Sequence, residues 1–305
     1  MRILVTGGAG FLGRHCARRL LSIGNDVTVV DNFRKGKPVA LDSSLKIHEG
    51  DCGDMAFIRS ILKNNAIDCV IHLADYNQIN ESNQLPLKYY SNNFVAMMFL
   101  LQAVMSENVK KFIFASSAQV YGNVSEHLIT EATIPNPINP YGETKLFCEK
   151  MLHAVAGQNH INYAVFRHFD IVGPNCPWDL DSIKNGRAFE LFGTDYPTAD
   201  GTNERDYIHV DDAVEPYGLV LPLLSTHGFA GTYNISTGRS TSMKDVVAIL
   251  GKAIGREIKV LENAKNVFEP ERLVAEPRKA QMELGWHLEH NDIDEIIRSV
   301  LGAEK

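Results

Sequence analysis

The sequence predicts an α/β fold, a doubly wound parallel sheet completed by a smaller α/β cap, and three observations lead there. Short apolar runs alternate with amphipathic stretches from the first residue to about residue 170, the pattern of repeated strand–helix–strand units. A glycine-rich turn stands directly after the first apolar run. After Gly173 the rhythm breaks at Pro174 and Pro177, and the remaining apolar runs are shorter and more mixed. Residues 1–170 are therefore expected to form the sheet domain, completed by later segments, and residues 171–305 mainly the cap.

In chain order the expected strands are 3–6, 27–30, 45–48, 69–73, 111–115 and 163–167, each short and rich in Val, Ile or Phe, as a strand covered on both faces requires. Between them lie expected helices at 11–23, 55–64, 86–106 and 140–156. Pro140 suits a first helical turn, where its missing N–H has no helical partner to lose. Beyond the break, short strands are expected at 189–192, 232–235 and 257–261, with helices near 211–224, 242–253, 277–284 and 291–301. A region this short and irregular suits a cap on the carboxyl ends of the first sheet, where open α/β folds bind ligands.

The first strand runs through Thr6 into Gly7, Gly10 and Gly13, and then into the helix opening with Phe11 and Leu12. Glycines let the backbone turn tightly and approach a pyrophosphate, and the helix N-terminus offers its charge free N–H groups and a positive dipole end. Asp31 follows the next strand, beside Asn32. Its carboxylate accepts hydrogen bonds from a ribose diol and repels a 2′-phosphate, so the cofactor expected is NAD rather than NADP. Arg34 and Lys35 close by temper that preference. Asp51, with Cys52 beside it after the third strand, is placed to meet the adenine end; a plain helix cap is the other reading of Asp51. The arrangement is of the Rossmann type.

Ser116 and Ser117 end the fifth strand, and Tyr141 and Lys145 open a helix four residues apart, on one face. The spacing predicts an ammonium that lowers the tyrosine pKa toward a working base, with Ser117 holding a substrate hydroxyl or carbonyl.

Composition excludes several classes. The formal charge of −7, with 30 Lys and Arg against 37 Asp and Glu, leaves no basic footprint for nucleic acid. No apolar run reaches the length of a membrane span, and the N-terminus is too short in apolar residues for a signal peptide, so a soluble cytoplasmic protein is expected. The five cysteines are scattered without a C-x-x-C pair, which suggests buried thiols rather than disulfides or zinc. Asp206, His209, Asp211 and Asp212 cluster in sequence but straddle a strand and a helix start, so no metal site is expected. The serines lie outside G-x-S-x-G, which disfavours a serine hydrolase.

With these motifs together the chain resembles the extended short-chain dehydrogenase/reductase family, and within it the UDP-glucose 4-epimerases, over nearly its whole length. The resemblance rests on the glycine loop, Asp31-Asn32, His72-Leu73-Ala74, Asn92-Asn93, Ser116-Ser117, Asn139-Pro140-Tyr141-Gly142 with Lys145, Phe166-Arg167, Phe192-Gly193-Thr194-Asp195-Tyr196-Pro197, and Arg205-Asp206-Tyr207-Ile208-His209-Val210. It implies a tightly held NAD and epimerisation of a nucleotide sugar at C4 through a transient 4-keto intermediate, with Tyr141 taking the hydroxyl proton. It also implies that Leu73, Ala74 and residues 114–116 line the cofactor, that Asn93 supports the site, and that Lys145 contacts the ribose. A homodimer through the helices carrying Phe94 and Tyr141 is implied as well.

Four departures from that pattern lie on the substrate side. Asp170 stands where an Asn is expected to donate to the substrate. The stretch 173–186 is shortened, Asn266-Val267-Phe268-Glu269 replaces R-P-G-D, and Asn77 replaces a lysine. Arg205, with Arg187 as a candidate beside it, is left as phosphate anchor. The alternatives these departures keep open are an NAD-dependent dehydrogenase or ketoreductase of an atypical sugar, or a cofactor-binding protein without turnover. A 4,6-dehydratase is disfavoured because Ala118 and Gln119 supply no acid.

Overall fold

The computed structural model describes residues 1–36 and 41–302; the last three residues of the expected cap lie outside them. The first part runs β1 (Arg2–Thr6), α1 (Phe11–Ser22), β2 (Asp26–Asp31), β3 (Lys46–Glu49), α2 (Met55–Asn64), β4 (Cys69–His72), α3 (Ile79–Gln84), α4 (Pro86–Tyr89), a π-helical turn (Tyr90–Val95), α5 (Ala96–Ser106), β5 (Lys111–Ser117), α6 (Pro140–Asn159) and β6 (Asn162–His168). The second part runs β7 (Asp170–Val172), α7 (Leu180–Lys184), β8 (Phe189–Phe192), β9 (Glu204–Arg205), β10 (Tyr207–His209), α8 (Val210–Leu219), β11 (Ala230–Ile235), β12 (Thr241–Ser242), α9 (Met243–Ile254), β13 (Val260–Asn263), β14 (Arg272–Leu273), α10 (Arg278–Leu284) and α11 (Ile293–Arg298).

Seven strands form one parallel sheet in the order β3-β2-β1-β4-β5-β6-β11. Of its central strands, β4 is buried along its whole length and β5 at every residue but its two ends, as the apolar runs require. Two cores cover its faces. One packs Leu20 of α1 and Tyr217 of α8 with Trp286, and the other packs α2, α5 and α6 through Ile58, Leu100 and Leu152. A third core, with Val172, Tyr207, Leu250 and Ile297, holds the cap together.

Chain order reverses across β1 and β4, so the loops after these strands diverge and open a crevice at the carboxyl edge. The single helix expected at 86–106 is α4, the π-helical turn and α5 in succession. The turn carries Asn93, and a locally widened helix of this kind re-aims the side chains on it. The segment 230–235 leaves the cap region to pair with β6. The five cysteines are free and buried.

Candidate active site

Backbone geometry shapes the cofactor end of the crevice. Gly7 has φ +72°, and a Cβ there would stand 2.6 Å from the backbone of Ala74. A Cβ on Gly13 would fall 2.1 Å from the Gly7 carbonyl oxygen. The first helical bond of α1 runs from the Arg14 N–H to the Gly10 carbonyl at 3.1 Å, and Gly10 gives the helix no side-chain cap. The N–H groups of Phe11, Leu12 and Gly13 therefore face the crevice at the positive end of the helix. Asp31 accepts from the Ala9 N–H at 2.9 Å and the Phe33 N–H at 2.8 Å, which ties the end of β2 to the glycine loop. Asp51 accepts from the Gly53 N–H at 2.9 Å and lies 3.4 Å from the Asn32 amide, with Cys52 buried beside it.

These groups line a groove of about 1340 Å³. Every residue assigned from sequence to the cofactor, catalytic or substrate site borders it except Asn93, Phe114, Arg205 and the candidate anchor Arg187. Asn93 lies behind the wall, where its amide donates to the Tyr76 carbonyl at 2.8 Å and accepts the Tyr76 N–H at 2.9 Å. It clamps the loop after β4. Phe114 is likewise behind the groove, stacked on His72.

The expected catalytic residues Ser117, Tyr141 and Lys145 line the same groove. Asn139 caps α6 by accepting the Gly142 N–H at 2.8 Å, and Pro140 starts the helix, so Tyr141 and Lys145 are held on its first turns. The Lys145 ammonium donates to the Ala115 carbonyl at 2.7 Å and pairs with Asp75 at 2.8 Å. The Tyr141 hydroxyl donates to the same Asp75 carboxylate at 3.3 Å. Ser117 lies beside Tyr141 and accepts the Gln119 N–H at 3.2 Å.

One expectation is corrected here. Tyr141 is not lowered toward a working base; burial and the Asp75 charge hold its hydroxyl well above the ordinary tyrosine value, with only the Ser117 contact opposing them. Lys145 is engaged by Asp75 instead.

Behind Ser116 lies a buried ion pair. Glu149 holds Arg167 at 2.6 and 3.0 Å and accepts the Ser116 hydroxyl, while Arg167 donates to Tyr121 at 2.8 Å. His168, on the groove wall, bonds through Nε2 to the Tyr217 hydroxyl at 2.8 Å. Its Nδ1 is the one buried side-chain polar atom among the described residues without a partner. Burial lowers His168 to about 3, so the imidazole is neutral at ordinary pH.

The substrate end is built differently. Arg205 is buried at 4% exposure, with Asp170 3.9 Å from its Nε and Glu269 3.4 Å from its Nη2. Burial pushes the Asp170 carboxyl up to about 6; Arg205 opposes the rise and Glu269 adds to it. Asn266 bonds to Glu269 at 3.0 Å and reaches across to Asn80 at 2.7 Å. Arg187 stands outside the groove lining, paired with Asp179 and Glu190. Pro174, Pro177 and Trp178 of the shortened stretch, and Asn77, border the groove.

Asp206 and Asp212 serve the backbone. Asp206 takes the Thr237 and Gly238 N–H groups and Asp212 those of Glu289 and His290. His209 and Asp211 approach His290 instead, with donor atoms within 4.8 Å. His209 caps α8 through Nδ1 at 3.2 Å from the Asp211 N–H, and His290 Nδ1 is 2.7 Å from Glu295.

The groove fits a dinucleotide on its own geometry: two glycines whose Cβ would fill the loop, open N–H groups at a helix end, an acid at the end of β2 and an unpartnered imidazole nitrogen in the wall. Asp75, His168 and Glu149 were not singled out from sequence. Asp75 had a signal, an acid two residues after Leu73 in a loop already matched to the family, but its partners lie 66 and 70 positions on.

Comparison with known proteins agrees. The model of the NAD dependent epimerase/dehydratase family matches residues 3–236. A UDP-glucose 4-epimerase of Lactobacillus helveticus is 36% identical, over 97% of this chain and 95% of its own. A UDP-arabinose 4-epimerase of Arabidopsis thaliana is 32% identical, over 99% of this chain and 79% of its own. The solved structure of UDP-glucose 4-epimerase from Bifidobacterium longum in complex with NAD+ and UDP superposes with a TM-score of 0.93 at 34% identity, covering 98% of this chain and 96% of that one.

Proposed function

The chain belongs to the NAD dependent epimerase/dehydratase family, and from that premise we propose that it interconverts the C4 epimers of a nucleotide sugar of the UDP-glucose and UDP-galactose type. The observation that carries the reading is that Ser117, Tyr141 and Lys145 line one groove together with the glycine loop. The residues that hold NAD are Gly7, Gly10 and Gly13 with the Phe11 and Leu12 N–H groups at the pyrophosphate. Asp31, Asn32, Asp51 and Cys52 serve the adenosine side, and Leu73, Ala74 and Ser116 line the walls. Bound there, NAD supplies reversible hydride acceptance at the sugar carbon. Tyr141 exchanges the proton of the C4 hydroxyl, Ser117 holds the oxygen by hydrogen bond, and Lys145 supports both from Ala115. Asp170 and Arg205 stand at the substrate end.

The purified protein is incubated separately with UDP-glucose and UDP-galactose while sugar interconversion and NADH absorbance are followed. Interconversion without free NADH is the expected result. A second reading, a dehydrogenase of an atypical sugar that releases its keto product, is favoured by the two carboxylates around Arg205, and accumulating NADH would establish it.

We also propose a cytoplasmic homodimer. No helix among the described residues is long and apolar enough to cross a membrane. Val95 and Phe99 at α5 and Phe147 on α6 are exposed large apolar groups on the two helices expected to pair. Light scattering should give twice the chain mass, and Phe99→Glu with Phe147→Glu should halve it.

A further inference from the structure

β6 ends in a histidine that uses only half of its hydrogen-bonding capacity. His168 stands level with Ser117 at the end of β5 and with Ile235 at the end of β11, and it borders the groove. Behind it lies Tyr217 of α8, wholly buried in the core with Leu20 and Trp286 and outside the groove lining. The Tyr217 hydroxyl is 2.8 Å from His168 Nε2, its one hydrogen-bond partner among the described residues. His168 Nδ1 has none. Burial, with the Lys145 charge adding to it, lowers His168 to about 3, so the ring carries one proton at ordinary pH. Burial also holds the Tyr217 hydroxyl well above the ordinary tyrosine value, so that group keeps its proton.

Two places remain for the ring proton. On Nε2 it would be donated to the Tyr217 oxygen, leaving two buried groups unsatisfied: the Tyr217 hydroxyl proton without an acceptor and Nδ1 as a bare acceptor. On Nδ1 it lets Tyr217 donate to Nε2, and only the Nδ1–H is left over. We propose that Tyr217 is a positioning residue that locks His168 as the Nδ1–H tautomer, and that this N–H is a donor kept for an acceptor oxygen on the nicotinamide half of bound NAD. Strand order assigns the half. The glycine loop follows β1 and Asp31 ends β2, whereas Ser117 and His168 end β5 and β6, beyond β4 on the far side of the crevice. A dinucleotide with its adenosine over β2 reaches them only with its other nucleotide. The lock stands behind the wall, so a ligand entering the groove meets His168 and not Tyr217. An orphaned buried N–H costs free energy until an oxygen meets it, and the bound cofactor removes that cost. The inference rests on NAD binding in the groove and not on the identity of the sugar.

The test reads the ring nitrogens directly. The NAD-loaded protein, labelled with heavy nitrogen in its histidines, is compared by proton–nitrogen correlation spectra as wild type, Tyr217→Phe and His168→Phe, the last identifying the signals of His168. In the wild type Nδ1 should resonate as a protonated, pyrrole-type nitrogen and Nε2 as a pyridine-type one, the reverse of the form that free histidine favours in water. Tyr217→Phe removes one oxygen and leaves the ring to pack, so the proton should shift toward Nε2. Dilution of the loaded protein into NAD-free buffer should release NAD about three- to tenfold faster from both variants, the loss of one hydrogen bond. A wild-type ring protonated at Nε2, or a tautomer unchanged in Tyr217→Phe, would overturn the lock; a merely structural Tyr217 would lower thermal stability and leave the tautomer alone. NAD release unchanged in both variants would overturn the assignment of the donor to the cofactor, and weaker UDP binding in the same variants would place it on the substrate instead. Failure of the wild type to interconvert sugars would overturn only the functional reading, since neither measurement needs turnover.

Discussion

The two ends of the groove meet negative charge by different means. At the cofactor end the work falls to backbone: N–H groups of Phe11, Leu12 and Gly13, a helix dipole, and glycines where no Cβ fits. Arg14, Arg18, Arg34 and Lys35 border the same end. At the other end the anchor expected from sequence is one side chain, Arg205, buried behind the groove lining with Asp170 and Glu269 on either side of it. A site made of backbone tolerates little change, because every residue but proline carries an N–H while only glycine fits the turn. A site made of side chains can be rebalanced one substitution at a time, which is why the departures gather there.

The strongest way to break this contrast is at the boundary between the ends. Tyr141→Phe should lower turnover by about 10²–10⁴-fold while the purified protein keeps its NAD, since only the proton-transfer oxygen is removed. A near-normal rate would dissolve the assignment. At the cofactor end, Gly13→Ala drives a methyl into the Gly7 carbonyl, so NAD content after gel filtration should drop by about tenfold or more, equivalent to ~1.4 kcal/mol. Full retention would mean that the loop has room to move.

At the substrate end the effects should be smaller and of opposite sign. Asp170→Asn should tighten UDP-glucose binding by about three- to tenfold, on the order of 1 kcal/mol, by removing an anion and restoring a donor. With its carboxyl pushed up to about 6, Asp170 should take up a proton as the pH falls through that value. The folded group therefore binds its proton more readily than an ordinary Asp, and UDP-glucose affinity should rise as the pH is lowered through about 6. Calorimetric titration checks both points, and the Asn variant should flatten the dependence. Glu269→Gln should tighten binding by only about two- to threefold, because a partly exposed pair is screened. Weaker binding in both variants would show that the carboxylates recognise the substrate.

Most of the cofactor end was legible in the sequence because its determinants are local. The glycine loop, the acid after the next strand and the tyrosine–lysine spacing are each read within one turn or one helix. The substrate end was legible as a set of departures, but the burial of Arg205 between two acids was not, since those acids come from β7 and from the segment before β14. Asp75 escaped for the same reason: nothing within ten residues of it shows that it will stand between Tyr141 and Lys145. The strand expected at 232–235 is there, running from Ala230 to Ile235, but its place beside β6 was not legible, because a single apolar run carries no record of its neighbour.

That last strand has a consequence for how the protein is made. β6 is complete at residue 168, yet its outer edge is covered only when Ala230–Ile235 pairs with it, more than sixty residues later. During synthesis the nascent sheet carries an open edge of buried-type residues, Val165 and Phe166 among them, while the whole cap is still emerging. A chain stalled or cleaved before residue 230 would keep that edge exposed, ready to pair with the same edge of another unfinished copy.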